Sequence, residues 1–142
     1  YRVNDWDWSC NCRAAPISDP EVTLLGVAVA PGESIRVPTA GSDIGGGNQV
    51  MVLYADAERI TLVYTRNDNV TTGYAIHIED IVIAPELLAL YQQLNDAGRA
   101  NLPALRAGQP FAQARGNEIK IAIRDAGAFM DPRSRKDWWR GI

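Results

Sequence analysis

His77 is the single histidine in a chain of 142 residues, and that count limits the chemistry available. A catalytic zinc ordinarily takes about three protein ligands and keeps one position open. A single imidazole cannot supply that set, although Cys10, Cys12, Glu79 or Asp80 could contribute to it. A Ser-His-Asp or Cys-His triad would have to run through His77 too, and neither a Gly-x-Ser-x-Gly elbow nor a catalytic-cysteine signature accompanies it. The plain reading of His77 is a strand histidine with hydrogen-bonded ring nitrogens, against a pH-sensitive or ligand-contacting role. Gly45-Gly46-Gly47 lacks the Lys-Ser or Lys-Thr and the helix of a phosphate loop, so these glycines are expected to shape a tight loop. Asp5 with Asp7, and Glu79 with Asp80, are carboxylate pairs of the kind that hydrolyse glycosides. That chemistry depends on separation in space, and solvated surface is their simpler role.

Cys10 and Cys12 are the only cysteines, and one intervening residue fits neither a disulfide framework nor a zinc knuckle. In an extended strand their Cα atoms stand about 6.5–7 Å apart, at or past the bridging range, so a bond between them requires a bend. The four tryptophans occupy the two ends, as Trp6-Asp7-Trp8 and Asp137-Trp138-Trp139. If the first segment is extended, Trp6, Trp8, Cys10 and Cys12 share one face, and Asp5, Asp7, Ser9 and Asn11 the other. Indoles beside carboxylates and amides suit sugars, whose apolar ring faces stack while their hydroxyls find polar partners. The two ends can equally meet and bury the indoles against Phe129 and Met130, clamping the termini.

These residues need a scaffold, and from Val22 short β-rich runs alternate with turn signals. Residues 22–29 read as a strand, Pro31-Gly32-Glu33 as a turn, and Ser34-Ile35-Arg36-Val37 as the second strand of a hairpin. Residues 38–48 are too glycine-rich for a regular element. Runs 49–54, 59–64 and 73–83, rich in Val, Ile, Tyr and Thr, read as an antiparallel meander. In the third run Tyr74, Ile76 and Ile78 share one face, expected to be core, while Ala75, His77 and Glu79 share a partly polar one. Over 85–102 the period changes: Leu87, Leu90, Tyr91 and Leu94 form a stripe, Pro85 suits the first helical turn and Gly98 a stop, giving an amphipathic helix over about 85–97. After Ala107-Gly108-Gln109-Pro110 the β pattern returns, clearest where Ile119, Ile121 and Ile123 alternate with Glu118, Lys120, Ala122 and Arg124. Asp131-Pro132 opens a short C-terminal helix over 132–142.

The expectation is a mainly β fold of antiparallel sheets, sandwich-like or barrel-like, in one domain over 1–142. Residues 1–21 form an N-terminal Trp/Cys segment and 22–132 the β-domain. An apolar content of 46% supports one core in a chain of this length. With a net charge of −3 there is no surplus of cations for a phosphate backbone, so nucleic acid is not an expected partner. No apolar run reaches the roughly 18–20 residues that span a bilayer, so no membrane span is expected. The start at Tyr1, without a signal-like opening, reads as a processed product or an excised domain. Asn69-Val70-Thr71 matches a glycosylation acceptor, a pattern that arises often by chance.

The order of features from Val37 to Pro132 resembles the lysostaphin-type zinc peptidases (M23, LytM-like), antiparallel β folds that cut peptidoglycan crosslinks. Gly45-Gly46-Gly47-Asn48-Gln49-Val50-Met51-Val52 is similar to that family's glycine-rich approach to a central strand. Gly73-Tyr74-Ala75-Ile76-His77-Ile78 resembles its aromatic-x-His-Leu strand, and Leu105-Arg106-Ala107-Gly108-Gln109-Pro110 its Val-x-x-Gly-Gln turn. Glu118-Ile119-Lys120-Ile121-Ala122-Ile123-Arg124, with Gly127 and Asp131-Pro132, resembles its His-x-His strand and closing Asp-Pro, and 85–102 would be an added helix. Glu118 and Lys120 stand where the family's His-x-His would be, and no His-x-x-x-Asp precedes them. A cation at Lys120 repels zinc and Glu118 alone anchors it poorly. The resemblance therefore implies a degenerate peptidase fold that keeps a groove without its metal centre.

Together these readings predict a non-catalytic, extracellular or cell-surface binding module for a carbohydrate or cell-wall polymer, with no cofactor. The candidate contacts are Trp6, Trp8, Trp138 and Trp139, and the groove residues His77, Glu79, Glu118, Lys120 and Arg124. The groove residues also read as a cross-strand salt-bridge lattice exposed to water. The rivals are a hydrolase, either zinc-dependent with rearranged ligands or carboxylate-based, and a structural module that self-associates or docks on a neighbouring domain.

Overall fold

The computed structural model describes residues 1, 3–18, 24–39, 41–69 and 74–124, with Trp6 and Arg124 described as backbone. The strands are β1 (Asn4–Asp7), β2 (Cys12–Pro16), β3 (Leu24–Ala28), β4 (Ser34–Arg36), β5 (Val50–Ala55), β6 (Arg59–Val63), β7 (Ala75–Glu79), β8 (Ile81–Ile83), β9 (Ala104–Leu105), β10 (Pro110–Ala114) and β11 (Glu118–Arg124). The helix is α1 (Pro85–Asp96). Among the described residues the strands form three antiparallel sheets, ordered β3-β11-β7-β6-β5-β9, β4-β10-β8 and β1-β2. The fold is mainly antiparallel β with one helix, and β5-β6-β7 is the meander expected from the sequence.

Two local expectations are corrected. The single strand expected over 73–83 breaks at Asp80, whose left-handed φ of 62° turns the chain. Ile81–Ile83 thereby leaves the six-stranded sheet and pairs with β10, Ile83 opposite Ala112. The turn after β3 forms as expected, with Gly32 at φ 79° and the Glu33 amide donating to the Ala30 carbonyl at 2.9 Å, but no hairpin results. β3 pairs with β11 and β4 with β10, so this turn carries the chain from one layer to the other.

The main core lies between these two sheets. Val50, Val52, Ile60, Leu62, Ile78 and Ile119 of the larger sheet share one cluster with Ile35, Ile81, Ile83, Phe111 and Ala114 of the smaller layer. Helix α1 joins this core through Leu87 and Tyr91, while Leu90 of the expected stripe is exposed. Gly98, at φ 94°, ends it as anticipated. Arg99 then fixes the helix to β5, donating to the Leu53 carbonyl at 2.6 Å and to the Tyr91 hydroxyl at 3.0 Å. No described helix is long and apolar enough to cross a membrane. The expected C-terminal helix over 132–142 lies outside the described residues.

Candidate functional site

The alternation that gives the large sheet its apolar face puts charged residues of β6, β7 and β11 on the other. Register places Glu79 opposite both Arg59 and Lys120, and His77 opposite both Thr61 and Ala122. The sheet thus gathers Arg59, Thr61, His77, Glu79, Glu118 and Lys120 from β6, β7 and β11 onto one surface. Arg124 continues that row, opposite Ala75.

This face is not the water-exposed lattice that alternation alone implies. His77 is 3% exposed, Glu79 2% and Lys120 8%. Val3, Leu24 and Ala122 form a small core with Ile17 at its β3-β11 end, and Leu53, Val63 and Ala75 another at its β5-β6 end. Charges buried this way must be paired. Arg59 Nη1 donates to Glu79 Oε1 at 3.1 Å, and His77 Nε2 lies 2.7 Å from the same oxygen. An ionised carboxylate only accepts, so Nε2 carries the proton; in the neutral ring Nδ1 then accepts from the Thr61 hydroxyl, 3.1 Å away. Both ring nitrogens are thereby engaged within the sheet. Among the described residues no group of three or more His, Cys, Asp or Glu side chains is placed to hold a metal ion.

A second charged group closes the face at its rim. Lys120 Nζ pairs with Asp80 and lies 3.5 Å from Glu118, whose Oε1 accepts from the Tyr1 hydroxyl at 2.7 Å. Burial lowers the Lys120 pKa, but the hydrogen bond and charge of Asp80, with Glu118, outweigh it and leave the ammonium above its ordinary value. The Tyr1 hydrogen bond holds Glu118 below the usual carboxylate range. The Lys120 ammonium stands 5.4 Å from the Tyr1 ring centre, within cation–π reach. Gly26 makes room for this arrangement: a Cβ there would meet Glu118 Oε2 at 2.5 Å and the Tyr1 ring at 3.0 Å.

The N-terminal segment is a hairpin rather than one extended strand, so the predicted single face of Trp6, Trp8, Cys10 and Cys12 does not form. Asp7 pairs with Cys12 and Trp6 with Arg13. The intervening turn supplies the bend that a Cys10–Cys12 disulfide requires, bringing the Cα atoms to 5.2 Å. Asn11 takes the left-handed conformation at φ 52°. Asp7 Oδ1 accepts from the Ser9 amide at 2.8 Å and its hydroxyl at 2.6 Å, and these bonds hold the Asp7 pKa below its ordinary value. Trp8, on this stapled turn, is 64% exposed. Trp138, Trp139, Phe129 and Met130 lie outside the described residues.

The glycine loop behaves as expected. Gly45, Gly46 and Gly47 all have positive φ, and the Asp43 carboxylate accepts the amides of Gly45 at 2.7 Å and Gly47 at 3.1 Å. A carboxylate already holds the amide cradle that a phosphate would use.

An apolar cleft was not anticipated. The smaller sheet covers only part of the larger one, and the uncovered part forms an open cleft of about 640 Å³ lined by residues including Tyr64, Tyr74, Ile76, Ile121 and Ile123. Alternation assigned Tyr74, Ile76 and Ile78 to the core; a second layer of three strands facing six is the feature that leaves part of that face open.

Fold and surfaces together define a mainly antiparallel β domain with a sealed charged face, a stapled aromatic turn and an apolar cleft. No protein-family model, curated protein or solved structure matches the chain.

Proposed function

We propose that this chain is a non-catalytic binding module, extracellular or at a cell surface, that recognises a carbohydrate or cell-wall polymer through Trp8. The observation that carries this reading is the Trp8 indole, 64% exposed on a turn closed by the Cys10–Cys12 bond. A short covalently closed turn gives the indole a small ordering penalty on binding, and its polar neighbours Asp7 and Ser9 suit sugar hydroxyls.

The internal pairing of His77, Glu79 and Lys120 supports a scaffold role for them in place of chemistry. It also supports kinship to a degenerate LytM-like fold. The positions where the resemblance implies metal ligands, His77, Glu118 and Lys120, stand on one face of two adjacent strands. Arg59 and Lys120 fill that region with cations neutralised by Glu79, Asp80 and Glu118.

Covering half of the exposed indole, on the order of 80 Å² at about 25 cal/mol/Å², contributes roughly 2 kcal/mol, or about 30-fold in affinity. Depletion of the protein from solution by insoluble polysaccharides and by peptidoglycan measures this. Retention by one polymer, weakened about 30-fold in Trp8→Ala with the fold intact by circular dichroism, is expected. Equal retention of wild type and Trp8→Ala, or none across the panel, refutes the reading.

A further inference from the structure

We propose that the Cys10–Cys12 bond is a redox-active site that accepts two electrons from a dithiol by thiol–disulfide exchange. The chemistry belongs to the two sulfurs and needs nothing of the Trp8 indole, so it stands or falls independently of the glycan reading.

A disulfide that resists reduction is closed to thiolates or ties together a long stretch of chain, and this bond has neither protection. Cys10, Asn11 and Cys12 are all exposed, as are Trp8 and Ser9 leading into them. The bond closes a ring across Asn11 alone, so it removes little freedom from the unfolded chain. Linkage is reciprocal: a bond that adds little to folding gains equally little resistance to reduction from it. For so short a ring that protection is about tenfold in the reduction equilibrium.

The hairpin that carries the bond has contacts of its own. Asn4 Nδ2 donates to the Ala14 carbonyl at 2.8 Å, the Ile17 amide to the Val3 carbonyl at 2.9 Å, and Trp6 pairs with Arg13. None of these involves sulfur, so β1 and β2 stay paired after reduction and keep the two thiols close together. That closeness selects the reductant. A single thiolate that attacks one sulfur forms a mixed disulfide and releases the other cysteine as a thiolate, which displaces the newcomer and restores the bond. A dithiol brings its second sulfur with it. That sulfur displaces the protein's sulfur and closes the dithiol into its own disulfide. Cys10 and Cys12 are left as thiols, holding the two electrons and the two protons that the dithiol gave up.

The test uses the full chain at neutral pH, with dithiothreitol as the dithiol, glutathione as the monothiol, and free thiols counted by alkylation and mass spectrometry. Dithiothreitol should reduce one disulfide per chain, with an equilibrium constant in native buffer within about tenfold of that in urea. The reduced protein should keep its far-ultraviolet circular dichroism and regain the bond when oxidised dithiothreitol is added. Reduced glutathione, at the same thiol concentration, should reduce at least about tenfold less of the protein. Oxidised glutathione should leave a stable adduct on Cys10 of Cys12→Ala, and should convert the reduced wild type to the disulfide with no adduct accumulating. Protection beyond tenfold, or loss of the spectrum on reduction, makes the bond a structural staple and overturns the proposal. Equal reduction by the two reagents, or an adduct that persists on the wild type, overturns the assignment to a dithiol. Failure of Cys12→Ala to take up glutathione puts the Cys10 sulfur out of reach and overturns the site.

Discussion

Replacing Arg59 by Met should unfold the protein at a markedly lower urea concentration, because it takes the Arg59 guanidinium away from the buried Glu79 carboxylate. The Arg59 and Glu79 side chains are 7% and 2% exposed, and their 3.1 Å contact stands beside the 2.7 Å contact of His77 to the same oxygen. Removing one partner of such a pair costs about 3–5 kcal/mol, whereas an exposed pair would cost about 0–1 kcal/mol. With a urea dependence of about 1–3 kcal/mol/M, the midpoint should fall by at least about 1 M. The double variant Arg59→Met/Glu79→Leu removes both charges and should recover part of the loss. A coupling of about 0.5–3 kcal/mol is expected, limited because His77 Nε2 then loses the Glu79 oxygen. Urea titrations of the wild type, both single variants and the double variant, followed by far-ultraviolet circular dichroism, give all the terms. Arg59→Met within about 0.5 kcal/mol of wild type, or strict additivity in the double variant, would show that water reaches this face and would refute its burial.

The Cys10–Cys12 bond closes so small a loop that reducing it should lower global stability by only about 1.5 kcal/mol, while the fluorescence anisotropy of Trp8, read in a variant with the other indoles replaced, drops clearly. Lys120 titrates above its ordinary value, so its contribution is complete below about pH 10 and is lost as pH rises through the folded value. Glu118 and Asp7 titrate below theirs, so what they contribute is present above about pH 4.5 and is lost as pH falls through the folded values. Urea midpoints across pH, compared with Lys120→Met and Glu118→Gln, should show both trends, and a midpoint rising above pH 10 would contradict the Lys120 pairing. Leu87→Ala removes a buried anchor of α1 and should cost about 2–5 kcal/mol by thermal unfolding, against under about 0.5 kcal/mol for Leu90→Ala on the exposed side of the helix.

The strands were legible where the alternation is regular. β11 and the β5-β6-β7 meander follow from the spacing of Ile, Val and Tyr, and α1 from Leu87, Tyr91 and the Pro85 and Gly98 signals at its ends. The break at Asp80 was not legible, because a single left-handed residue inside a β-rich run leaves the composition unchanged. Nor was the sealing of the charged face. Alternation reports which residues share a face, and not whether another segment lies over it. His77, Glu79 and Lys120 therefore read as solvent-facing until Arg59, Thr61 and Asp80 are seen to partner them. The tertiary pairing of Tyr1 with Glu118, across 117 residues, leaves no local trace. The cleft escaped notice for the complementary reason: Tyr74 and Ile123 have core-like spacing, and only the relative extents of the two sheets expose them.

The claim that the chain binds without cleaving is tested most directly by incubating it with peptidoglycan, once with added zinc and once with a chelator. Two readouts matter, the fraction of protein held on the polymer and the soluble fragments detected by mass spectrometry. The account predicts equal retention in both conditions and no released peptide or sugar. Fragments that appear with zinc and vanish with the chelator would contradict it.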